Sequence, residues 1–345
     1  MLECRTPLQT YETITIGHGG GGRLTQDLIQ ELLLPAFRNG HLEQLHDGAV
    51  LAAHHGRLAF TTDSFVVHPY IFPGGDIGTL AVHGTANDLA MCGARPLYLS
   101  LAFILEEGLP VEHLRQVVGS VRDACRAVAM EVVTGDTKVV ERGKGDGIFI
   151  NTTGIGAVLP DAEISPRRVR AGDRVLLSGP IAEHGIAILS VREGIAFESK
   201  IQSDTAHLWP LVSGLLQTGG PAVHVLRDAT RGGVASVANE IARSAGVGMM
   251  LEEAEIPVRE DVRGACEILG LDPLYVANEG VFLAFVAPDA VETSLDTLRR
   301  HPLGQRARLI GEVTGDHPGI VRLRTRYGGT RVVDLLSGEQ LPRIC

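Results

Sequence analysis

The sequence has few aromatic residues and no excess of positive charge. Phenylalanine, tryptophan and tyrosine make up 4% of the 345 residues, and the formal net charge is −10 at pH 7. A protein that binds nucleic acid through its phosphates needs a basic surface, so we do not expect nucleic-acid binding. Nucleotide binding is compatible with this charge, because backbone N–H groups and Mg²⁺ can supply the positive field that phosphates need.

Cysteines are scarce and dispersed. The five are Cys4, Cys92, Cys125, Cys266 and Cys345, and none forms a CxxC pair. An odd number without such a pair argues against a disulfide scaffold or a structural zinc site. The sequence also has no basic start followed by an apolar run, and no stretch of about 18 apolar residues. We therefore expect a cytoplasmic protein without a membrane partner.

Length and composition predict two globular domains. A chain of 345 residues exceeds one ordinary hydrophobic core, and its 44% hydrophobic and 21% charged residues are globular values. Predicted strands and helices are mixed in both halves, and residues 160–170 are typical of a linker. We predict an α+β fold with an N-terminal domain over 1–160, a C-terminal α/β domain over 161–325 and a flexible tail over 326–345.

A glycine run follows the first predicted strand. Residues 11–16 alternate between polar and apolar types, and leucines at helical spacing begin at Leu24. A strand, a glycine loop and a helix can present backbone N–H groups to a phosphate. The loop is not a Walker motif, nor is it GxGxxG in the register of a dinucleotide-binding loop, and four glycines are equally consistent with a merely flexible loop. The candidate phosphate contacts are Gly19, Gly20, Gly21 and Gly22.

Four aspartates lie near the predicted ends of strands and helices in the first half. Each alone is more simply explained as a helix cap or turn residue. As a set they could converge, since Mg²⁺ binds through carboxylates together with substrate phosphates. Lys138 could place its charge on a phosphate, or it could be a solvated lysine at the end of a strand. The four aspartates are Asp47, Asp63, Asp88 and Asp136.

The second half adds a carboxylate beside a predicted loop–helix junction. Asp228 precedes a glycine pair and a predicted helix over 234–244. It could lie beside a phosphate, but a helix cap is the simpler role on this evidence alone. Arg231 could bind phosphate or pair with a nearby acid. Glu279 lies between two apolar runs and is either a general base or an exposed side chain.

The chain ends on a cysteine. Pro342 disfavours a helix there, and nearby glycines favour turns. The segment could be a mobile arm that carries the Cys345 thiol, or a frayed terminus whose last residue happens to be cysteine.

Eight segments, in order along nearly the whole chain, closely resemble the HypE family of hydrogenase maturation proteins. The aspartate motifs are shared more widely, with an ATP-binding superfamily that includes aminoimidazole ribonucleotide synthetase, selenophosphate synthetase and thiamine monophosphate kinase. Two departures concern the all-glycine loop, where the family has a serine, and His46, where it often has another acid. The segments are 17–22, 62–67, 73–78, 87–91, 135–140, 227–233, 277–280 and, most specific, 342–345.

The resemblance implies an ATP-dependent carbamoyl dehydratase with two domains of the aminoimidazole ribonucleotide synthetase-like type. In that family, a HypF-type carbamoyltransferase loads a carbamoyl group onto the terminal cysteine. ATP then drives the loss of water and leaves a thiocyanate. The cyano group passes to iron on a HypC–HypD complex and becomes a ligand of [NiFe]-hydrogenase. A homodimer that pairs the N-terminal domains is also implied.

The resemblance also implies roles for the candidate residues. Cys345 carries the substrate, Glu279 takes a proton from its nitrogen, and Lys138 neutralises phosphate charge. ATP and Mg²⁺ are the expected cofactors. The ATP contacts are Gly19, Gly20, Gly21, Gly22, Asp63, Asn87, Asp136, Lys138 and Asp228, and the metal ligands are Asp47, Asp63, Asp88, Asp136 and Asp228.

Two alternatives stay open on the sequence. One is another small-molecule kinase or synthetase of the same superfamily, in which Cys345 would be dispensable. The other is a scaffold of a maturation complex that binds ATP without turnover. Truncation of Cys345 separates the first alternative from the dehydratase, and ATP consumption separates the second.

Overall fold

Two β-sheets, one in each half of the chain, form the framework of this computed structural model. The structure describes residues 11–46, 48–52, 54–195, 201–335 and 344–345. Within them, the N-terminal half contains six strands: β1 (Leu58–Phe65), β2 (Ile71–Phe72), β3 (Gly75–Asp76), β4 (Ala94–Glu106), β5 (Glu131–Val140) and β6 (Ile148–Val158).

The N-terminal sheet has the strand order β1-β6-β4-β5, while β2 and β3 form a separate two-stranded ladder. Among the described strand pairs of this sheet, only β4–β5 is parallel. A parallel pair needs a crossover, and the helix between these two strands supplies it. The helices of this half are α1 (Arg23–Leu28), which continues through a π-helical turn (Ile29–Leu33) into α2 (Leu34–Phe37), then α3 (Ile77–Met91) and α4 (Val111–Val128).

Helix α4 is amphipathic and packs against α3. Its buried side chains Val111, Leu114, Val118 and Val121 recur at helical spacing. Gly78 on α3 permits the close approach, because a Cβ atom there would lie 2.6 Å from the Val117 carbonyl oxygen.

The expected strand over residues 11–16 is not formed. Thr13 makes only an isolated bridge to Pro110. The segment Ile16–Gly19 is a 3₁₀ turn, and the Thr15 N–H donates to His18 Nδ1 at 3.0 Å. This local hydrogen bond replaces the one that a neighbouring strand would provide. The glycine loop therefore begins from a turn.

Among its described residues, the C-terminal half contains a seven-stranded sheet. Its strand order is β13-β12-β9-β11-β7-β10-β8. The strands are β7 (Arg174–Leu177), β8 (Val223–Asp228), β9 (Gly248–Glu252), β10 (Phe282–Val286), β11 (Arg308–Thr314), β12 (Val321–Arg324) and β13 (Thr330–Val333). The helices are α5 (Glu183–Arg192), α6 (Trp209–Gly219), α7 (Gly233–Ala245), α8 (Glu260–Leu269) and α9 (Val291–Arg299).

Strand β10 is buried on both faces, and its sequence is therefore a continuous apolar run. Leu283 and Phe285 belong to the same core cluster as residues of α7. Phe282, Ala284 and Val286 face the other side and pack with residues of α6 and α9. Helices on both faces thus cover the sheet and leave its strand ends free to carry polar groups.

The expected flexible tail over 326–345 needs correction where the structure describes it, and residues 336–343 lie outside the described residues. Residues Thr330–Val333 form β13, which pairs antiparallel with β12. Ile344 is buried in the core of the N-terminal half. Backbone hydrogen bonds and apolar burial therefore hold parts of this segment in place.

Two further expectations concern cysteines and membranes. Of the described cysteines, Cys92, Cys125, Cys266 and Cys345 are all free thiols. None of the helices in the described part of the chain is long and apolar enough to cross a membrane.

Candidate active site

Carboxylates from both halves of the chain raise one another's pKa values where the halves meet. Asp63 lies on β1, Asp88 in the last turn of α3, and Asp228 at the end of β8. Burial raises the pKa of Asp63 to about 6, and the neighbouring charge of Asp88 adds to this effect. Burial, followed by Asp88, raises the pKa of Asp228 to about 7. Such mutual repulsion favours a cation or protons among these groups.

Glu279 is buried beside the same carboxylates. Burial is the main cause of its strongly raised pKa, and Asp204, Asp228, Asp63 and Asp88 each contribute. Its Oε1 atom has no hydrogen-bond partner among the described residues. A buried carboxyl group with a free oxygen is suited to accept a proton or a hydrogen bond from a bound substrate.

Asp204 holds the loop that carries Glu279. Its two carboxylate oxygens accept the N–H groups of Glu279 at 3.0 Å and Gly280 at 3.1 Å. Residue 280 must be glycine, because a Cβ atom there would lie 1.9 Å from the Asp204 carbonyl oxygen. Burial raises the pKa of Asp204 to about 7. Sequence reasoning missed this residue, since its partners are backbone groups more than 70 residues away.

Two arginines offset part of the negative charge. Burial raises the pKa of Asp88, and the Thr61 hydrogen bond and the Arg227 charge offset part of this rise. Arg227 likewise offsets part of the rise in the pKa of Asp228. Arg231 does the same for Asp63. Arg227 also pairs with Glu240 at 3.2 Å, so its charge is shared with the protein surface.

The terminal cysteine lies in this acidic site. The Val66 N–H donates to a backbone carboxylate oxygen of Cys345 at 3.1 Å. Burial, followed by the Glu279 charge, raises the pKa of the Cys345 thiol to about 12. The thiol is therefore protonated at neutral pH and is not a free thiolate here. The last two residues are seated in the site formed by their own chain.

A cavity of about 340 Å³ lies between the glycine loop and β5. Its polar side includes Gly19, Gly21, Thr25 and Lys138. Lys138 donates to Asp136 Oδ1 at 2.7 Å, and this hydrogen bond is the main reason for the lowered pKa of Asp136. The apolar side is formed by Ile29, Leu33, Leu34, Phe37, Leu101 and Phe103. An apolar end and a glycine-rich polar end together match the two ends of a nucleotide.

Comparison with known proteins identifies the family. Models of the AIR synthase related protein match residues 45–158 (N-terminal domain) and 170–324 (C-terminal domain). The carbamoyl dehydratase HypE of Cupriavidus necator is 55% identical over 333 residues, which cover 96% of this chain and 95% of the relative. That of Azotobacter vinelandii is 53% identical, covering 96% and 97%. This chain belongs to the HypE family.

Solved HypE structures agree with this assignment. A crystal structure of the hydrogenase maturation protein HypE in complex with ATP has a TM-score of 0.93 and 48% identity, and the match covers 96% of this chain and all of that one. A HypE–HypF complex has a TM-score of 0.79 and 46% identity, covering 90% and 99%. The predicted fold, with two AIR synthase-type domains of mixed α and β structure, is confirmed.

The residues predicted from the HypE resemblance form two groups in a single chain. Asp63, Asp88, Asp228, Glu279 and Cys345 lie at the junction of the halves. The second group, Gly19, Gly21, Asp136 and Lys138, surrounds the cavity, while Gly20 and Gly22 are not among the residues that line it.

Within a single chain, two of the five aspartates expected as metal ligands lie apart, and the five-aspartate metal site stays a prediction. Asp136 lies on β5 and Asp63 on β1, at opposite edges of the sheet. Three interstrand spacings amount to roughly 14 Å. Asp47 lies outside the described residues. Across the described ranges, no three His, Cys, Asp or Glu side chains are arranged to hold a metal ion by themselves.

Asn87 makes hydrogen bonds to the opposite half of the chain, and the ATP contact expected for it stays a prediction. Its amide nitrogen donates to the carbonyl oxygens of Ala206 at 2.9 Å and Glu279 at 3.3 Å. Its oxygen accepts the Leu208 N–H at 2.9 Å. The buried amide is therefore occupied by the opposite half of the chain, and it links the two halves beside Glu279.

Proposed function

We propose that Cys345 of this HypE-family enzyme carries a carbamoyl group, which the enzyme dehydrates to a thiocyanate with the use of ATP. The observation that carries this proposal is the position of Cys345 inside its own chain, beside the buried Glu279. A kinase or synthetase would have no need for a substrate-bearing thiol at this place. Identity of about 50% to carbamoyl dehydratases over nearly the full length favours the same conclusion.

The dehydration requires a leaving group and the removal of two protons. Bound ATP supplies a phosphoryl group that turns the carbamoyl oxygen into a phosphate leaving group. The nitrogen loses one proton when the carbamoyl oxygen is phosphorylated, and it loses the second when the carbon–oxygen bond breaks and the C≡N bond forms. The departing phosphate takes up one of these two protons. We assign the proton acceptor to Glu279, whose free Oε1 lies in the same site as Cys345.

Burial, followed by the charges of its neighbours, determines the protonation state of Glu279. Its strongly raised pKa keeps the carboxyl group protonated. A cation held by Asp63, Asp88 and Asp228 would reduce the repulsion between the carboxylates and lower that pKa. Loading of the site would thus bring Glu279 closer to the ionised state in which it accepts a proton.

The polar groups fit ATP and Mg²⁺ at separate places. Gly19, Gly21 and Lys138 would contact phosphates at the cavity, where the glycine backbone leaves room for an anion. Asp63, Asp88 and Asp228 would hold Mg²⁺. This ion commonly binds through one or two carboxylates together with phosphates and water, so a complete protein cage is not required.

A homodimer is the proposed working unit. The outer face of β1 exposes the large apolar side chains Leu58 and Phe60, which are 53% and 71% exposed. Exposed apolar patches of this kind mark interfaces. A second copy packed here would also allow the cavity of one chain to approach the carboxylates of the other. Phe60→Asp should convert the dimer into monomers in sedimentation velocity, and an unchanged sedimentation coefficient would reject this interface.

We also assign the partners from the family. A HypF-type carbamoyltransferase would load Cys345, and a HypC–HypD complex would receive the cyano group. Because the described Cys345 is enclosed, both transfers require its release from the site.

Intact mass spectrometry tests the function. The chain is incubated with the HypF-type partner, carbamoyl phosphate and ATP. We expect a carbamoyl-sized mass gain followed by a smaller, dehydrated adduct, and neither in Cys345→Ala. Cys92→Ala, which removes an exposed thiol, is the matched control and should behave as wild type. ATP consumption without any adduct would instead support a kinase or synthetase.

A further inference from the structure

His184 is fully buried at the start of α5 and contacts the end of the chain. Its Nε2 atom lies 2.7 Å from the Ile344 carbonyl oxygen. Its Nδ1 atom lies 2.7 Å from Ser203 Oγ. The Phe72 ring packs edge-on against the imidazole, with 5.7 Å between the ring centroids. The side chain thus has one polar contact with the protein body and one with the terminal segment.

The hydrogen-bond network determines the tautomer of His184. Ser203 Oγ already accepts the Thr205 N–H at 3.1 Å, so its own hydrogen is available for donation to Nδ1. With Nδ1 as an acceptor, the neutral ring carries its proton on Nε2 and donates it to the Ile344 carbonyl. Ser203 is itself fixed, because its N–H donates to the Pro73 carbonyl at 2.8 Å.

The contact with Ile344 lies one peptide away from the reactive residue. The Val66 N–H holds a backbone carboxylate oxygen of Cys345 at 3.1 Å. The Ile344 side chain is buried in the same core cluster as Ile188 and Ala277. One side chain and one backbone N–H therefore fix the Ile344 carbonyl and the Cys345 carboxylate, which sets the register of the terminal residue against Glu279.

We propose that His184 is a positioning residue that clamps the Ile344 carbonyl and thereby holds the Cys345 thiol in the acidic site. The clamp binds backbone only, so it leaves the thiol and any group on it free to react. When the terminal residues leave, the Nε2–H donor loses its partner in a buried place, which disfavours the released state. Only the purpose of the clamp rests on the proposed function. The clamp itself concerns how the terminal residues dock, which does not depend on the reaction.

Two substitutions separate the donor from the rest of the ring. His184→Gln keeps a donor near the Nε2 position, whereas His184→Asn keeps one only near Nδ1. Loss of a buried hydrogen bond shifts an equilibrium by about tenfold. We expect iodoacetamide to alkylate Cys345 about tenfold faster in His184→Asn than in wild type, and His184→Gln to remain close to wild type.

The alkylation is measured at residue 345 by mass spectrometry of the peptide 340–345, which a glutamate-specific protease releases. Cys125 and Cys266 are buried and serve as internal controls for global unfolding. His224→Gln, a change at another buried histidine, should leave the Cys345 rate unchanged. Equal rates in His184→Asn and His184→Gln, whether raised or unchanged, would overturn the clamp.

If His184→Asn also exposes Cys125 and Cys266, a further variant tests the clamp. Ser203→Ala leaves the ring in place but removes the hydrogen bond that holds its Nδ1 side and thereby its orientation toward Ile344. We expect Cys345 alkylation to rise severalfold, and a wild-type rate would overturn the proposal. Alkylation needs no ATP and no partner. If the variants are alkylated as expected but the chain forms no thiocyanate, the proposed function is refuted and the clamp is still supported.

Discussion

At the scale of single residues, the acidic groups at the junction make stability depend on pH. Asp204 and Asp228 both have pKa values raised by burial to about 7. An acid whose pKa is raised in the folded state binds more protons folded than unfolded. Its stabilising protonation is therefore lost as pH rises through the folded pKa.

We predict that the free energy of unfolding falls between pH 6.5 and 8.0 without metal and nucleotide. Each group with a folded pKa near 7 should contribute about 1 kcal/mol to this fall. Buried histidines with a pKa lowered to about 4, such as His184, act in the opposite direction, but only at lower pH. Urea unfolding at several pH values measures the slope of the free energy of unfolding against pH.

Matched variants test the origin of this slope. Asp204→Asn and Asp228→Asn should each flatten it. Asp123→Asn, at an exposed residue paired with Arg122, should leave it unchanged. The same slope in all three variants would contradict the assignment to buried carboxyl groups.

The sequence predicted which kinds of residue take part in the site better than it predicted which of them lie together. Asp63, Asp228 and Glu279 were candidates because acids beside glycines or at strand ends suit phosphate chemistry, and the resemblance to HypE strengthened this. Asp204 and His184 gave no comparable signal. Their roles depend on backbone groups of distant segments, and no local spacing reports such contacts.

At the scale of elements, the glycine loop packs tightly against β5 at one position only. A Cβ atom on Gly19 would lie 2.4 Å from the Val139 nitrogen and 3.0 Å from the Lys138 carbonyl carbon. A Cβ atom on Gly22 would meet no atom within 4 Å among the described residues. The two glycines look alike in the sequence but have different surroundings.

We predict that Gly19→Ala weakens ATP binding by at least tenfold. The added methyl group must displace the loop or β5, and Lys138 follows Thr137 on that strand. Gly22→Ala is the control and should bind ATP within about twofold of wild type. Isothermal titration calorimetry measures both affinities. Equal affinities would remove the cavity from the proposed nucleotide site.

Elements with a clear period were predictable, while those decided by tertiary contacts were not. The predicted helix over 234–244 is observed as α7, Gly233–Ala245. The segment over 11–16 alternates as a strand would, yet Ile16 begins a 3₁₀ turn because His18 captures the Thr15 N–H. Alternation describes which side chains could face a core and does not supply a neighbouring strand.

At the scale of the whole molecule, the site depends on how the two halves meet. The two-domain fold was predictable from length and resemblance, and the boundary at residue 160 stays a prediction. The contacts across the junction were not predictable, because they join α3 to the segments around Ala206 and Glu279. Asn87 is the clearest case, since its motif indicated a nucleotide contact.

We predict that Asn87→Ala reduces both stability and catalysis. The change leaves the Leu208 N–H and the Ala206 and Glu279 carbonyls without their partner, so we expect a loss of about 3 kcal/mol. Because one of these groups belongs to Glu279, the dehydration rate should also fall by about tenfold at a temperature where the variant is folded. Urea unfolding and single-turnover thiocyanate formation measure the two effects.

Asn239→Ala is the matched control for this junction. Asn239 is equally buried, but its amide nitrogen donates to the Ala235 and Val333 carbonyls, both within the C-terminal half. Its loss should lower stability by a similar amount and leave the dehydration rate of the folded protein unchanged. If both variants slow the reaction equally, general loosening and not the link to Glu279 explains the effect. A slower reaction in Asn87→Ala alone would make the packing of the two halves a condition of catalysis.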